Sequence, residues 1–272
     1  MFTFFQWALV VVYGIAGYYY LNVFQQNRST DRKVAGNWLA AAILVHAALF
    51  AYLGFTLGRI PVATLGETLS TLVLMTACIY WVLEKRVADH SMGAFIVPLL
   101  IILLIVDNFI LQQHEVMAEV LHDVKFEIHV LSLLLAYGAF TLSFIASVLQ
   151  ILLARQLENL NMGVFYRRLP SIAFFEKISN HAVDIGLVFV TIGFFLGLYN
   201  ARQVWDLNAL LSEPKIDATI LIWLVYALHF GGRRFAGWRG QRAAVLSIIG
   251  YALLLFSMLI ISLFFVTVHN FK

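Results

Sequence analysis

The sequence predicts an all-α fold: a polytopic integral membrane helix bundle with about eight transmembrane helices. Three observations carry this. Apolar runs recur along the whole 272-residue chain, and each lies near the about 20 residues that a helix needs to cross a bilayer. The chain is 62% hydrophobic and 12% charged, about half the charged share usual in soluble domains. No run alternates as a strand would, which leaves helices rather than a barrel as the way to satisfy backbone hydrogen bonds in lipid. No soluble domain of useful size is left over, so residues 1–272 read as a single transmembrane domain.

The runs are taken in order. Residues 4–22 open with "MFTFFQWALVVVYG", which has neither a basic leader nor a fitting small-residue cleavage site. It reads as an uncleaved first span rather than a signal peptide. Spans follow at 36–56, 63–83, 93–111 and 128–154, and then at 184–200, 216–231 and 243–268, the seventh being short. The inner connection 155–182 contains Pro170 at a plausible helix start with an amphipathic pattern behind it. It is expected to lie along the membrane surface.

Orientation follows from Lys and Arg alone. With the N-terminus outside, the inner loops hold Arg28, Arg32, Lys33, Lys85, Arg86, Arg155, Arg167, Arg168, Lys177, Arg233, Arg234, Arg239 and Arg242. Only Arg59, Lys125, Arg202, Lys215 and Lys272 fall outside. Both termini are therefore expected on the outer, periplasmic side of a bacterial inner membrane. The net charge of +3 belongs to the cytoplasmic face and is no sign of nucleic-acid binding. The single cysteine, Cys78, excludes an intramolecular thiol-redox relay, which needs two sulfurs within reach.

The residues able to carry chemistry are histidines. His129 opens the fifth span and His269 closes the eighth, so both are expected at the outer face. His46 lies in mid-membrane on the second span, and His229 lies on the seventh, nearer the cytoplasm. His181 opens the sixth span, His90 sits in an inner loop, and His114 and His122 sit in an acidic outer loop. An imidazole in lipid is costly unless paired or coordinated. Neutral imidazole is also a common iron ligand, and two on separate helices can clamp a porphyrin. Lys125, Arg202 and Lys215 are the outward cations for its propionates. A lone intramembrane histidine more often hydrogen-bonds a carbonyl of a neighbouring helix than binds a metal, and on the residues alone both readings stand.

The pattern resembles the cytochrome c assembly membrane-protein family, which includes the CcsA and CcmC proteins and their HemX-like and YpjD-like relatives. "HVLSLLLAYGAFTLSFIASVLQILLARQLE" is similar to its histidine-led span. "LPSIAFFEKISNHAVDIGLVFVTIGFFLGLY" is similar to the segment that follows, with Gly186, Gly193 and Gly197 in the expected places. "IWLVYAL" with "GWRGQRAA" resembles the C-terminal pair, and "LGETL", with Glu67, an acidic outer-face motif. The family's haem-facing loop ends in Trp-Asp-Pro-Lys-Glu before a Trp-led span. Counting back from Trp223 puts Pro214 and Lys215 in register, with Glu213 for the aspartate, Ser212 for the tryptophan and Ile216 for the glutamate. Trp205 is the one tryptophan left in that loop.

The resemblance implies haem b at the outer face, held by His129 and His269 as axial metal ligands. Glu213, Pro214, Lys215 and Trp205 form the remnant of a haem-presenting loop, and His229 and His46 are further cofactor-binding candidates. It implies a part in cytochrome c maturation or haem delivery, as an accessory component rather than a stand-alone enzyme. The implied partner is another cytochrome c maturation subunit or a haem-biosynthesis enzyme. The tryptophan-poor loop fits the HemX-like or YpjD-like branch. Two alternatives remain: a regulatory or scaffolding protein that affects haem biosynthesis through its cytoplasmic loops, and a proton-coupled transporter.

Overall fold

The computed structural model describes residues 2–26, 29–109, 124–160, 163–204 and 213–261, and every regular element among them is helical. In chain order these are α1 (Phe2–Gln26), α2 (Ser29–Leu57), α3 (Leu65–Val87) and α4 (Gly93–Phe109). Next come α5 (Val124–Glu158), the short α6 (Val164–Arg168) and α7 (Ile172–Val204). α8 (Pro214–Phe235) and α9 (Gln241–Leu255) follow, the last continuing as a π-helix over Phe256–Ile261.

A helix stands at each of the eight expected places. Six are long and apolar enough to cross a membrane: α1, α2, α3, α5, α7 and α9 with its π extension. α4 is apolar but has only 17 residues. The chain is thus a multi-pass membrane protein. One expectation is corrected. The stretch behind Pro170 is not a separate surface helix, because α7 runs unbroken from Ile172 to Val204. No proline interrupts it, and buried Ser179 in its third turn is bonded to α5.

Two compact units divide the chain. The first comprises residues 1–112 and 151–175. Here α1 packs on α2 and α4, and α3 on α4 and α2, around buried Tyr13, Leu39, Leu69, Leu72, Ile96 and Leu100. Phe24, Phe95 and Phe165 make mutual ring contacts that seat α6 against α1 and α4. Thr64 caps α3: its hydroxyl accepts from the Glu67 N–H, and Glu67 reaches back to the Thr64 N–H. The Glu67 carboxylate also takes both arms of the Arg59 guanidinium, at 2.8 and 2.9 Å. The "LGETL" acid is therefore the keystone of a helix start.

The second unit comprises residues 113–150 and 176–272. Lipid tails give helices no hydrophobic reason to associate, so close approach and hydrogen bonds must supply it. α7 meets both needs with small residues. A Cβ on Gly186 would overlap the Phe140 ring, and one on Gly193 would stand 2.7 Å from Leu133 Cδ2. Farther along, the Ser179 hydroxyl bonds to Ser143 and Ser147 of α5, at 2.8 and 2.9 Å, and Ser143 donates to Ser247 of α9. Phe140 lies flat on Tyr226 of α8, ring centroids 3.5 Å apart. On the opposite side of α7, Ile185, Val188, Ile192, Phe195 and Tyr199 are exposed. Their spacing of three and four residues makes one apolar stripe, suited to face lipid.

Candidate functional site

The small-residue seam of α7 ends at His129. Here α5 has just begun, and a Cβ on Gly197 would overlap the imidazole. The ring lies against the bare α7 backbone for that reason. Its Nδ1 sits 2.6 Å from the Gly193 carbonyl oxygen. A carbonyl can only accept, so Nδ1 carries the proton, and in the neutral imidazole the lone pair is on Nε2. The Phe126 ring flanks the imidazole, centroids 6.2 Å apart.

Three helix ends lie toward this end of the unit. The α5 start faces the α7 end through His129 and Gly197. α8 runs antiparallel to α7: the Trp223 indole N–H donates to Thr191 Oγ1 at 2.9 Å, and Arg233, farther along α8, pairs with Asp184, earlier on α7. The start of α8 therefore lies toward the same end. Pro214 occupies the first turn, where a missing N–H costs nothing, and Glu213 stands at the N-cap, 1% exposed. The Glu213 carbonyl accepts from Ile216 and Asp217. Burial holds the Lys215 ammonium below its ordinary range, and nearby Glu213 opposes the shift. Lys125 stands over the Tyr199 ring at 5.6 Å, and Arg202 is exposed on the last turn of α7. The Glu213–Pro214–Lys215 step is thus a helix start toward His129's end of the unit. His269, Trp205, Ser212, His114 and His122 lie outside the described residues.

The other histidines divide sharply. His229 is fully buried in α8, and neither ring nitrogen has a hydrogen-bond partner among the described residues. One turn on, Arg233 pairs with Asp184 of α7, an ion pair that composition alone did not suggest. His46, in the first unit, is 1% exposed with both nitrogens engaged: Nδ1 with the Tyr13 hydroxyl at 3.3 Å and Nε2 with Ser70 Oγ at 3.0 Å. The cavity beside it, of about 20 Å³, is bordered by Gln6, Glu67 and Thr71 and has room for about one water. His181 donates to the Lys177 carbonyl of its own helix. No group of three or more metal-ligating side chains occurs among the described residues. A metal here would need a site with two protein ligands, as a porphyrin iron does.

A multi-pass helical membrane protein with a tautomer-fixed imidazole at one end of its second unit is the class that fold and site define. Comparison with known families makes it specific. The model described as "Cytochrome C assembly protein" matches residues 62–269, and the chain belongs to that family. It is similar to proteins named cytochrome c biogenesis protein CcsA. That of Heterosigma akashiwo is 23% identical over 252 residues, covering 78% of this chain and 77% of the relative. That of Chlamydomonas reinhardtii is 22% identical, covering 79% and 61%. That of Prochlorococcus marinus is 20% identical over 260 residues, covering 86% and 82%.

Proposed function

We propose that the protein binds haem b at the outer face of the bacterial cytoplasmic membrane, through His129 and His269, and serves cytochrome c maturation as a haem-handling component. Eight spans with both termini outside belong to the same reading. The observation that carries it is the His129 imidazole. Its Nδ1–H is spent on the Gly193 carbonyl, which directs the lone pair to Nε2, the arrangement typical of histidines that ligate metals. Membership of the cytochrome c assembly family supports the cofactor, and the shared name of the relatives supports the process.

The residues present fit the group. His129 would hold the iron through its imidazole, and Lys125, Arg202 and Lys215 are the cations near enough in the chain topology to meet propionates. Glu213 and Pro214 set the start of α8 and hence the place of Lys215, and Trp205 offers a flat ring in the preceding loop. Bound haem supplies a redox-active iron that accepts imidazole nitrogens. A second site in the reading uses His229, whose buried nitrogens have no partner among the described residues. His46 enters it less readily, since iron would displace Tyr13 or Ser70. With a single tryptophan in 201–212, the chain is assigned to the HemX-like or YpjD-like branch as a haem-delivery component acting with a partner subunit. The test is the absorption spectrum of the purified protein with and without dithionite. Sharp reduced bands in the haem b positions support the reading, and a protein without Soret absorption after expression with haem precursor refutes it.

A further inference from the structure

Three helices of the first unit and the turn into a fourth converge on one carboxyl group that the haem reading does not use. Glu84, in the last turn of α3, is 1% exposed. Tyr20 of α1 donates its phenol O–H to Glu84 Oε2 at 2.5 Å. α2 approaches through Gly36, where a Cβ would stand 2.8 Å from Glu84 Oε1. From the turn into α4, His90 brings Nε2 to 3.5 Å from the same oxygen. Tyr80, one turn earlier on α3, is 1% exposed, its ring edge-on to Tyr20 and its hydroxyl within interaction range of the Glu84 carboxyl. Gly93, opening α4, leaves the space that the Tyr20 ring and the Tyr80 hydroxyl fill. Two other charged groups are close. Lys85 Nζ lies 3.7 Å from where a Gly36 Cβ would be, and the Asp89 carboxylate accepts from the Ser91 N–H and hydroxyl.

The cluster is built around the carboxyl, since glycines on two elements make room for it and its tyrosine neighbours. It has room for one more proton. Glu84 Oε1 and His90 Nδ1 are both buried without a hydrogen-bond partner among the described residues. A buried carboxylate that nothing neutralises is strongly unfavourable. One carboxylate and one imidazole are too few donors for a dedicated metal site, so the ligand that fits is a proton.

We propose that Glu84 and His90 form a proton-binding site in the first unit, taking one proton from water. The proton adds to Glu84 Oε1 or His90 Nε2 and no other bond changes. Entry is through the imidazole, whose side chain is 17% exposed while that of Glu84 is 0%. Holding the proton, the pair ties the α3–α4 turn to the carboxyl. Without it, the carboxylate is left buried, and this end of the unit loosens. The site lies at the end carrying Lys33, Lys85 and Arg86, the end that the distribution of basic residues assigns to the cytoplasm.

The experiment is infrared difference spectroscopy of the full-length protein in lipid nanodiscs. The pH is stepped between about 5 and about 9, the range in which histidine pairs exchange protons, in H₂O and D₂O. Wild type is expected to give a deuterium-sensitive carboxyl change. Glu84→Gln should lose it, His90→Gln should move its pH dependence, and Tyr20→Phe should shift its frequency. Identical difference spectra for wild type and Glu84→Gln overturn the proposal. Should Glu84→Gln fail to fold, an unaltered carboxyl change in both His90→Gln and Tyr20→Phe overturns it equally.

Discussion

Replacing Gly197 by alanine places a methyl group inside the space of the His129 ring. The new Cβ would stand 2.6 Å from Nδ1 and 3.0 Å from Nε2, so the imidazole has to turn away. Turning breaks the bond to the Gly193 carbonyl, worth about 1 kcal/mol net. Forcing a group into a packed site costs about 1–3 kcal/mol more. Alanine returns about 1 kcal/mol of helix propensity over glycine. The net loss is then roughly 1–3 kcal/mol. The same substitution in a His129→Ala background meets no ring, so only the propensity gain remains. A double-mutant cycle on reversible unfolding in mixed micelles, followed by circular dichroism, isolates the coupling. The expected coupling is at least about 2 kcal/mol. Additive effects, with Gly197→Ala costing the same in both backgrounds, refute the placement of His129 on the seam, whatever the cofactor.

Glu67→Gln should be among the more damaging changes in the first unit. It leaves the Arg59 guanidinium, 6% exposed, without its carboxylate, at about 3–5 kcal/mol by analogy with other broken buried pairs. Thr64→Ala removes only the cap, about 1 kcal/mol; unfolding in the same micelles should separate the two, and equal losses contradict the keystone role. For topology, a reporter active only in the cytoplasm and fused after Lys272 should be silent, and strong activity there overturns the orientation.

Much of this architecture was legible because lipid imposes one rule on every span. Apolar runs marked eight places, and a helix stands at each. Boundaries were less legible. α7 begins about three turns before the apolar run, because Ser179 and its neighbours read as polar surface yet bond inward to α5 and α9. Glu84 is hidden in the sequence for the same reason. It falls one residue beyond the apolar run 63–83 and reads as loop, although Tyr80 and Glu84 are one helical turn apart within α3. Gly193 and Gly197 were visible as glycines, but not what they are for, since only the α5–α7 pairing brings His129 onto them. His46 and His229 look alike in sequence. What separates them is whether a neighbouring helix carries a hydroxyl at the right height, as Tyr13 and Ser70 do for His46.

The central claim is that His129 ligates haem, and the haem-to-protein ratio and reduced spectrum of four variants test it most directly. His129→Ala and His269→Ala should each lower occupancy and leave five-coordinate iron. The double variant should lose the outer-face haem altogether, while Gly186→Ala, which disturbs the same seam beside Phe140, should keep a wild-type spectrum in whatever protein folds. Full occupancy with an unchanged spectrum in the double variant contradicts the account.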